Sequence, residues 1–344
     1  MSVLKRKMLY PLFFEPVYKF TLWGGSMLVP LFGRTPQQNE NPVGEAWEIV
    51  DRKNDQSVVK NGYLAGKTLR ELMTERGADI VGSAYREGMA FPLLIKLLDT
   101  HTHLSIQVHP DKEYALSASD GAEEKTEMWY ILHLQEGAGI YAGLVDGVDR
   151  NMFEQCIRER GELQNMLQRH QLRQKELYFI KPGRLHAIGG GVLLFEVQNN
   201  SDTTFRVWDW NRKDSHGNYR KLHVEQALKC IDFGPDQSTK VELDRSENAP
   251  QSMIFDLTAG KTESPFRLHE IKVFRSYCGS TISDDGSKEF HILTATEADA
   301  IISNGDFTER IAAGASCLVP ASFGNYTITP ADGERVTILR STAN

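Results

Sequence analysis

The strongest constraint on the fold is a series of short apolar or alternating segments, each closed by Gly, Pro or Asn. Alternation with a period of two predicts strands with one buried face, and the turn residues end each strand. Few helical stretches intervene, which favours an antiparallel barrel or sandwich over βαβ units. The predicted strands are Leu93–Leu98, Leu104–His109, Met128–Leu132, Leu177–Ile180, Val192–Gln198 and Thr203–Trp208.

Two stretches depart from this pattern and predict helices. Thr68, followed three residues later by Glu71, forms a capping-box pattern, and the apolar residues behind it predict a helix from Thr68 to Glu75. A second helical region is predicted from Met152 to Ile157, and it resumes from Leu163 to Leu167.

The length of 344 residues predicts two medium-sized cores. The polar segment Gly234–Ser238 is typical of a domain boundary, so we expect domains at residues 1–235 and 236–344. In the second domain, Ala313–Ile328 weakly echoes Lys181–Leu193, which suggests a second copy of the same barrel. This copy lacks a counterpart of His186, so only the first domain is expected to bind a metal.

Composition excludes several classes of protein. A net charge of -7 argues against a nucleic-acid-binding or anionic-membrane-binding surface, because such surfaces are basic. No apolar run approaches the ~20 residues that span a bilayer, and Pro11, Glu15 and Pro16 interrupt the N-terminal apolar stretch. The cysteines Cys156, Cys230, Cys278 and Cys317 are scattered, as expected for reduced thiols in the cytoplasm.

Polar side chains alternate along the predicted strand Leu104–His109. Ser105, Gln107 and His109 share one face, while Leu104, Ile106 and Val108 share the other. An ordinary surface strand would also alternate in this way. The pattern gains interest from two other potential ligands farther along the chain.

These ligands are Glu127, at the head of the strand after Lys125-Thr126, and His186, after the turn Lys181-Pro182-Gly183. A barrel could bring them together with Gln107 and His109 as two imidazoles and two oxygen donors. This set suits zinc in a catalytic site, although iron, manganese and cobalt accept the same ligands. The spacing therefore predicts a metal site without fixing the metal.

Two charged residues interrupt otherwise apolar strands. Glu196 lies within Val192–Gln198, and a buried carboxylate needs a cation or a ligand beside it. Lys96 lies within Leu93–Leu98, where it either extends from a strand edge to solvent or pairs with a buried acid. The pattern itself favours neither reading of Lys96.

Arg206 and Arg212 are candidates for binding an anionic group. Arg206 lies in the predicted strand Thr203–Trp208, and Arg212 follows soon after it. The planar guanidinium donates paired hydrogen bonds that match phosphate, although a single arginine is more often an exposed surface charge.

Taken together and in order, four segments resemble type I phosphomannose isomerases, in their short bacterial form. The resemblance is specific from about Pro11 to Phe233 and looser in the tail. It implies a mainly β fold of two cupin-type jelly-roll barrels, with a few helices attached to the N-terminal catalytic domain and no metal in the C-terminal one. The segments are Leu104–Asp111, Lys125–Trp129, Gly183–Ala187 and Glu196–Arg206.

The resemblance also implies the activity, which interconverts mannose 6-phosphate and fructose 6-phosphate through an enediol or enediolate. It implies one zinc ion per chain, an essential arginine at Arg206 and a phosphate contact near Ser105, with Lys96 and Arg212 as further candidates. The implied zinc ligands are Gln107, His109, Glu127 and His186.

The proton carrier is not fixed by the sequence. Glu196 and Lys125 are both plausible proton carriers, and Asp202 or Glu45 could orient a substrate hydroxyl. The chain departs from longer members at Thr126, where they have proline, and at Arg212, where they have lysine. Other readings are a metal-dependent oxygenase of the same fold and a noncatalytic sugar-phosphate-binding protein.

Overall fold

A computed structural model gives the fold of the chain. It describes residues 7–37, 39–159, 161–213, 216–235, 237–243, 253–258, 264–275, 280–282 and 289–344. The predicted mainly β architecture is confirmed, because strands far outnumber helices along these ranges.

The described strands, in chain order, are β1 (Leu12–Glu15), β2 (Val17–Phe20), β3 (Val43–Ile49), β4 (Val58–Val59), β5 (Leu93–Thr100), β6 (Ile106–Val108), β7 (Glu127–Leu134), β8 (Gly139–Leu144), β9 (Leu167–Gln171), β10 (Leu177–Ile180), β11 (His186–Ile188), β12 (Val192–Asn199), β13 (Phe205–Trp208), β14 (Lys240–Val241), β15 (Met253–Asp256), β16 (Phe266–Phe274), β17 (Ser280–Ile282), β18 (His291–Ala295), β19 (Ala300–Ser303), β20 (Thr308–Ile311), β21 (Ser316–Val319), β22 (Tyr326–Pro330) and β23 (Arg335–Ala343). Each strand predicted from the sequence overlaps one of these.

The described helices are α1 (Leu28–Leu31), α2 (Leu69–Val81), α3 (Lys112–Ser117), α4 (Arg150–Arg158) and α5 (Val224–Cys230), and short 3-10 helices span Gly62–Leu64, Leu163–Met166 and Ala321–Phe323. The predicted capping box begins α2. Thr68 Oγ1 accepts a hydrogen bond from the Glu71 backbone N–H at 3.2 Å, and the Glu71 carboxylate accepts one from the Thr68 N–H at 2.7 Å. The second predicted helical region is also confirmed, by α4 and by the 3-10 helix after it.

The chain divides into two compact units that are discontinuous in sequence. The terminal unit comprises Met1–Val17, Trp47–Leu94 and Asp244–Asn344, and the central unit comprises Tyr18–Ala46 and Ile95–Leu243. The expected break at 234–238 shortly precedes the end of the central unit, and Asp236 lies outside the described residues. Separate domains at 1–235 and 236–344 stay a prediction.

Two antiparallel sheets form the central unit. The large central sheet has the order β14-β10-β7-β12-β5-β3-β2, and the small central sheet has the order β13-β6-β11-β8-β9. A buried cluster joins them, with Trp129 and Leu194 contributed by the large sheet and Ile140 and Ile188 by the small one. The two sheets therefore pack face to face as a sandwich.

The outer face of the small central sheet is covered by helices. Ile106 and Val108 of β6 belong to a second buried cluster that includes Phe153 of α4 and Ala227 of α5. Because neighbouring residues of a strand point to opposite faces, this packing turns Gln107 toward the interior of the sandwich.

The terminal unit also contains two sheets. The large terminal sheet has the order β15-β16-β23-β18-β21-β1-β4, and the small terminal sheet has the order β17-β22-β19-β20. Its first strand pairs with a late one, since Leu12 lies opposite Leu318. The N-terminal segment thus completes a sheet built mostly from the end of the chain.

The sequence also led to expectations about the cysteines and about membrane-spanning helices. Cys156, Cys230 and Cys317 are free thiols, and Cys278 lies outside the described residues. No helix in the described part of the chain is long and apolar enough to cross a bilayer.

Candidate metal centre and substrate cavity

Strand pairing in the small central sheet brings three predicted site residues side by side. β6 lies between β11 and β13, and Gln107 is directly opposite His186 on one side and Arg206 on the other. His109 follows immediately after β6. One face of this sheet therefore presents an amide, an imidazole and a guanidinium in a row.

The large central sheet supplies the facing acidic residues. Glu127 is the first residue of β7. Glu196, on the neighbouring strand β12, lies directly opposite Trp129 of β7. Both carboxylates are almost fully buried, at 2% exposure each. Since burying a carboxylate without a partner is costly, each must meet a cation or a hydrogen-bond donor.

Glu127 lies at the centre of a compact buried cluster. Its Oε1 is 3.1 Å from His109 Nε2, and its Oε2 is 3.7 Å from His186 Nε2. The potential ligand atoms of these three residues lie within 4.8 Å of one another. Such proximity of two imidazoles and a carboxylate is the arrangement that a divalent metal ion requires.

Backbone carbonyls orient both imidazoles toward this cluster. His109 Nδ1 lies 3.0 Å from the Thr203 carbonyl oxygen, and His186 Nδ1 lies 2.8 Å from that of Arg184. A carbonyl only accepts, so each Nδ1 carries the proton and donates. Each Nε2 then keeps its lone pair for a metal, as is typical of metal-binding histidines.

The cluster contains buried polar atoms that lack partners in the described part of the protein. His109 Nε2 and Glu127 Oε2 are buried and make no hydrogen bond. The Gln107 amide nitrogen is 3.2 Å from His186 Nε2, and a half-turn of the terminal amide would present its oxygen there instead. These residues therefore fit a metal ion coordinated by nitrogen and oxygen.

The protonation states also suit a metal. Burial first, and then nearby Lys125, lower the pKa of His109 to about 3. Burial acts to raise the pKa of Glu127, but Lys125 and His109 outweigh it and hold that pKa well below its usual value. Near neutral pH the cluster thus offers neutral imidazoles and an ionised carboxylate.

A cavity of about 340 Å³ in the central unit opens onto the cluster. Gln107 and Glu127 line the cavity, whereas His109 and His186 do not. Its lining includes nearly all the predicted substrate residues, together with four polar or aromatic residues that were not predicted as site residues. The polar and aromatic lining residues are Trp23, Glu45, Lys96, Ser105, Gln107, Lys125, Glu127, Trp129, Glu196, Asp202, Thr204, Arg206 and Arg220.

Lys96 and Glu196 form a buried ion pair on the cavity wall. Lys96 Nζ is 3.1 Å from Glu196 Oε1 and 3.4 Å from Glu45 Oε2, and the Trp129 indole N–H donates to Glu196 Oε2 at 2.8 Å. This geometry settles the role of Lys96 as an ion-pair partner instead of a lysine reaching solvent. Burial acts to lower the Lys96 pKa, but Glu196 and Glu45 outweigh burial and raise it overall.

Two of the cavity's carboxyl groups, Glu127 and Glu196, have pKa values shifted in opposite directions. Burial raises the pKa of Glu196, nearby Glu127 raises it further, and Lys96 opposes the rise. The pKa of Glu127, by contrast, lies well below its usual value. A buried carboxyl with a raised pKa is typical of acid–base catalysis, whereas an ionised carboxylate such as Glu127 suits a metal ligand.

A cationic region lies at the Ser105 end of the cavity. Arg206 Nε donates to Ser105 Oγ at 3.2 Å, and Arg206 Nη1 donates to the Lys221 carbonyl at 3.1 Å. Burial lowers the Arg206 pKa, and the nearby Arg220 lowers it further. Neighbouring cations of this kind favour a bound anion.

The structure places Arg212 differently from Arg220. Arg212 forms an ion pair with Asp209 and donates to Thr102 Oγ1 at 3.3 Å, and it does not line the cavity. Arg220 does line it, with Nη1 3.7 Å from Asp209 Oδ2. Sequence reasoning missed Arg220 because Arg220-Lys221 has the appearance of an exposed basic pair.

Thr126 marks one departure from longer family members, where a proline precedes the glutamate. Its backbone N–H donates to Asn199 Oδ1 at 2.8 Å. A proline has no N–H and could not form this bond. The substitution thus fixes the start of β7, and with it Glu127, through a contact particular to threonine or another non-proline residue.

Comparisons with known proteins identify the family of the chain. The model of the "Phosphomannose isomerase type I, catalytic domain" family matches residues 12–139. The chain is 35% identical to GmuF of Bacillus subtilis strain 168, named as a probable mannose-6-phosphate isomerase, over 93% of this chain and 96% of that protein. It is 33% identical to the mannose-6-phosphate isomerase ManA of the same strain, over 92% and 95%.

Solved structures show the same fold. The crystal structure of the mannose 6-phosphate isomerase from Bacillus subtilis has a TM-score of 0.84 and 30% identity, covering 97% of this chain and 99% of that one. A zinc-bound mannose 6-phosphate isomerase shares the fold at 14% identity, with a TM-score of 0.73 and coverage of 98% and 100%. The chain belongs to the type I phosphomannose isomerase family.

Proposed function

We propose that the chain interconverts mannose 6-phosphate and fructose 6-phosphate with the aid of one zinc ion per chain. The observation that carries this proposal is a buried His–Glu–His cluster that opens into the same cavity as an arginine–serine pair. The cavity has a candidate metal site at one point and an anion-binding site at another. This suits a phosphorylated hexose, whose reacting carbons and phosphate lie at opposite ends. The relatives named above as mannose-6-phosphate isomerases support the choice of hexose.

We assign zinc to Gln107, His109, Glu127 and His186. Two imidazole nitrogens and two oxygens suit zinc, and the zinc-bound structure with the same fold supports this metal over iron, manganese or cobalt. When bound, the ion would polarise substrate oxygens and stabilise negative charge that develops on them. The one negative ligand, Glu127, would leave the site with net positive charge.

We assign the phosphate to the end of the cavity formed by Ser105, Arg206 and Arg220. Ser105 and Arg206 are already hydrogen-bonded to each other, so their donors are preorganised for an oxyanion. Holding the phosphate there would use remote binding energy to position the reacting carbons. Arg212 would act through Asp209, by holding the carboxylate beside Arg220.

The isomerisation moves one proton between the two carbons nearest the carbonyl end of the opened sugar. The proton leaves C2 of the aldose and is returned at C1 of the ketose, while a hydroxyl proton passes from O2 to O1, so no oxidant or reductant is needed. Glu196 is suited to this exchange because its pKa is raised, and Lys125 is a second candidate within the cavity. Asp202 and Glu45 would orient substrate hydroxyls.

A coupled assay tests the proposal, with mannose 6-phosphate as substrate and fructose 6-phosphate as the detected product. We expect turnover that a chelator abolishes and zinc restores. The double variant His109→Ala/His186→Ala should lose turnover by at least about a thousandfold, since the metal supplies several kcal/mol of stabilisation. Elemental analysis should find one zinc in the wild type and none in the double variant.

His101→Ala/His133→Ala is the matched control, because it removes two histidines that lie outside the cluster. It should keep both zinc and turnover. Full activity in the metal-free His109→Ala/His186→Ala variant would refute the assignment. Binding of the sugar phosphate without turnover would favour a noncatalytic protein, and oxygen consumption with bound iron would favour an oxygenase.

As part of the same proposal, we place the protein in the cytoplasm. A phosphorylated hexose is an intracellular metabolite, and free thiols at Cys156, Cys230 and Cys317 agree with a reducing cytoplasm.

A further inference from the structure

A second polar cluster lies within the terminal unit, on one face of its large sheet. Arg267 and His269 are two residues apart on β16, and Arg340 and Thr342 are two residues apart on β23. His269 lies directly opposite Arg340, and Arg267 lies directly opposite Thr342. Because residues two apart on a strand share a face, all four side chains belong to the same face.

This face is turned toward the small terminal sheet. Arg340 also lies opposite Leu293 of β18, and His291 precedes Leu293 by two residues, so His291 shares the face. His291 Nδ1 is 2.7 Å from the hydroxyl of Tyr326, which belongs to β22 of the small terminal sheet. The cluster therefore lies inside the sandwich of the terminal unit.

Several polar atoms of the cluster are buried and make no hydrogen bond in the described part of the chain. They are Arg267 Nε, Arg340 Nε, His269 Nδ1 and Thr342 Oγ1. The two guanidinium nitrogens can only donate. Leaving such groups unsatisfied is costly, which indicates that an acceptor belongs among them.

The nearby carboxylates that the structure describes do not supply that acceptor to Arg340. Glu289 pairs with Arg267, and Asp256, opposite His269, accepts hydrogen bonds from the Thr258 N–H and hydroxyl at 2.8 and 2.7 Å. Among the described residues, Arg340 forms no ion pair. A partly buried arginine without a counterion favours an anionic ligand.

The histidines contribute donors or acceptors rather than charge. Burial first, and then the proximity of Arg340, lower the pKa of His269 to about 4 and that of His291 to about 3. The positive charge of the cluster therefore resides on its arginines. Arg267 is 41% exposed, so one side of the cluster is open to solvent and to an entering ion.

We propose that this cluster is a second ligand site, in which Arg340, Arg267, His269 and Thr342 bind a phosphate or phosphate-monoester group. The donors come from two neighbouring strands of one sheet face, with the Tyr326–His291 pair on the side of the facing sheet. Donors from several residues suit the four oxygens of a phosphate better than the two oxygens of a carboxylate. The site lies in the unit that carries none of the proposed zinc ligands, and it does not depend on the proposed isomerase activity.

Side-chain imidazole NMR signals provide a readout local to this site. We expect inorganic phosphate, added to zinc-loaded protein, to shift the ring signals of His269 and His291 saturably, with His269→Gln used for assignment. Arg340→Met should weaken this binding by at least about tenfold, as loss of one charged hydrogen bond predicts. Arg340→Lys, which keeps the charge, should restore part of it.

Arg335→Met is the matched control, since Arg335 is an exposed arginine on the same strand. It should bind phosphate as the wild type does, and both Arg340→Met and Arg335→Met should keep wild-type isomerase turnover. Shifts that fail to saturate at millimolar phosphate, that are equalled by acetate, or that persist unchanged in Arg340→Met would overturn the proposal. A protein without isomerase activity would refute the function proposed above and leave this titration just as informative.

Discussion

At the scale of single residues, the ion pairs of Asp209 distinguish two arginines, Arg212 and Arg220. Asp209 is 6% exposed and pairs with Arg212 on one side and Arg220 on the other. Only Arg220 also faces the substrate cavity. A buried carboxylate between two arginines can hold both in place, because an unpaired carboxylate there would be costly.

Arg220→Met is expected to raise KM for mannose 6-phosphate by about tenfold while changing kcat much less. The reason is that a cation on the phosphate binds ground state and transition state alike, so its loss appears mainly in KM. Steady-state kinetics of the coupled assay measure both parameters.

The comparison variant is Lys221→Met, which changes the neighbouring basic residue outside the cavity lining and keeps the carbonyl that Arg206 contacts. It should leave KM near the wild-type value. Equal KM values for Arg220→Met and wild type would show that Arg220 does not bind the phosphate.

At the scale of elements, β6 shows how a three-residue strand can organise a whole site. Ile106 and Val108 pack toward the helices, and Gln107 between them must then face the interior. Its two neighbouring strands place His186 and Arg206 directly beside it. A one-residue shift of register would turn Gln107 away from the cavity.

Helix α2 offers a test of local sequence rules. Thr68→Ala should lower the free energy of unfolding by about 1 kcal/mol, because it removes the side-chain acceptor for the Glu71 N–H at the first turn. Urea unfolding measures this change.

Thr74→Ser is the control, since it keeps the hydroxyl that donates to the Arg70 carbonyl within the same helix. It should change stability by less than about 0.5 kcal/mol. If Thr68→Ala proves as stable as wild type, the capping box contributes nothing to the fold.

At the scale of the whole molecule, the two units share a two-sheet plan but differ in the polar groups that they enclose. The candidate metal cluster of the central unit combines a carboxylate with imidazoles, and the polar cluster of the terminal unit combines arginines with imidazoles. A common architecture thus carries two different charge distributions, one suited to a cation and one to an anion.

The buried His291 predicts a pH dependence of global stability. Its pKa is lowered to about 3 in the folded state and stays near 6.5 when unfolded. Its contribution to stability is therefore fully present above pH 6.5 and is lost progressively as the pH falls toward 3, at a slope of at most about 1.4 kcal/mol per pH unit.

Denaturant unfolding from pH 7 down to pH 5 in phosphate-free buffer measures this slope. His291→Gln cannot titrate there but can still hydrogen-bond Tyr326, so its stability should fall less steeply with decreasing pH than that of the wild type. Parallel curves for the two proteins would show that His291 already titrates normally in the fold.

The sequence alone determined the class of fold and the donor types of the candidate metal site. Period-two alternation, turn residues and the Thr68–Glu71 pattern are local signals, and each depends on neighbours within a few residues. The six predicted strands and the first turn of α2 accordingly appear in the structure. Gln107, His109, Glu127 and His186 were recognisable because their side chains are the kinds that bind divalent metals.

Only the tertiary structure decided which distant groups meet. The pairing of Lys96 with Glu196, the presence of Arg220 instead of Arg212 in the cavity lining, and the position of Arg340 beside His269 all depend on strand order and register. The division into discontinuous units also depends on strand pairing, since β1 pairs with β21 near the end of the chain. Contacts between residues far apart in sequence leave no local pattern, because they are selected by the packing of whole sheets.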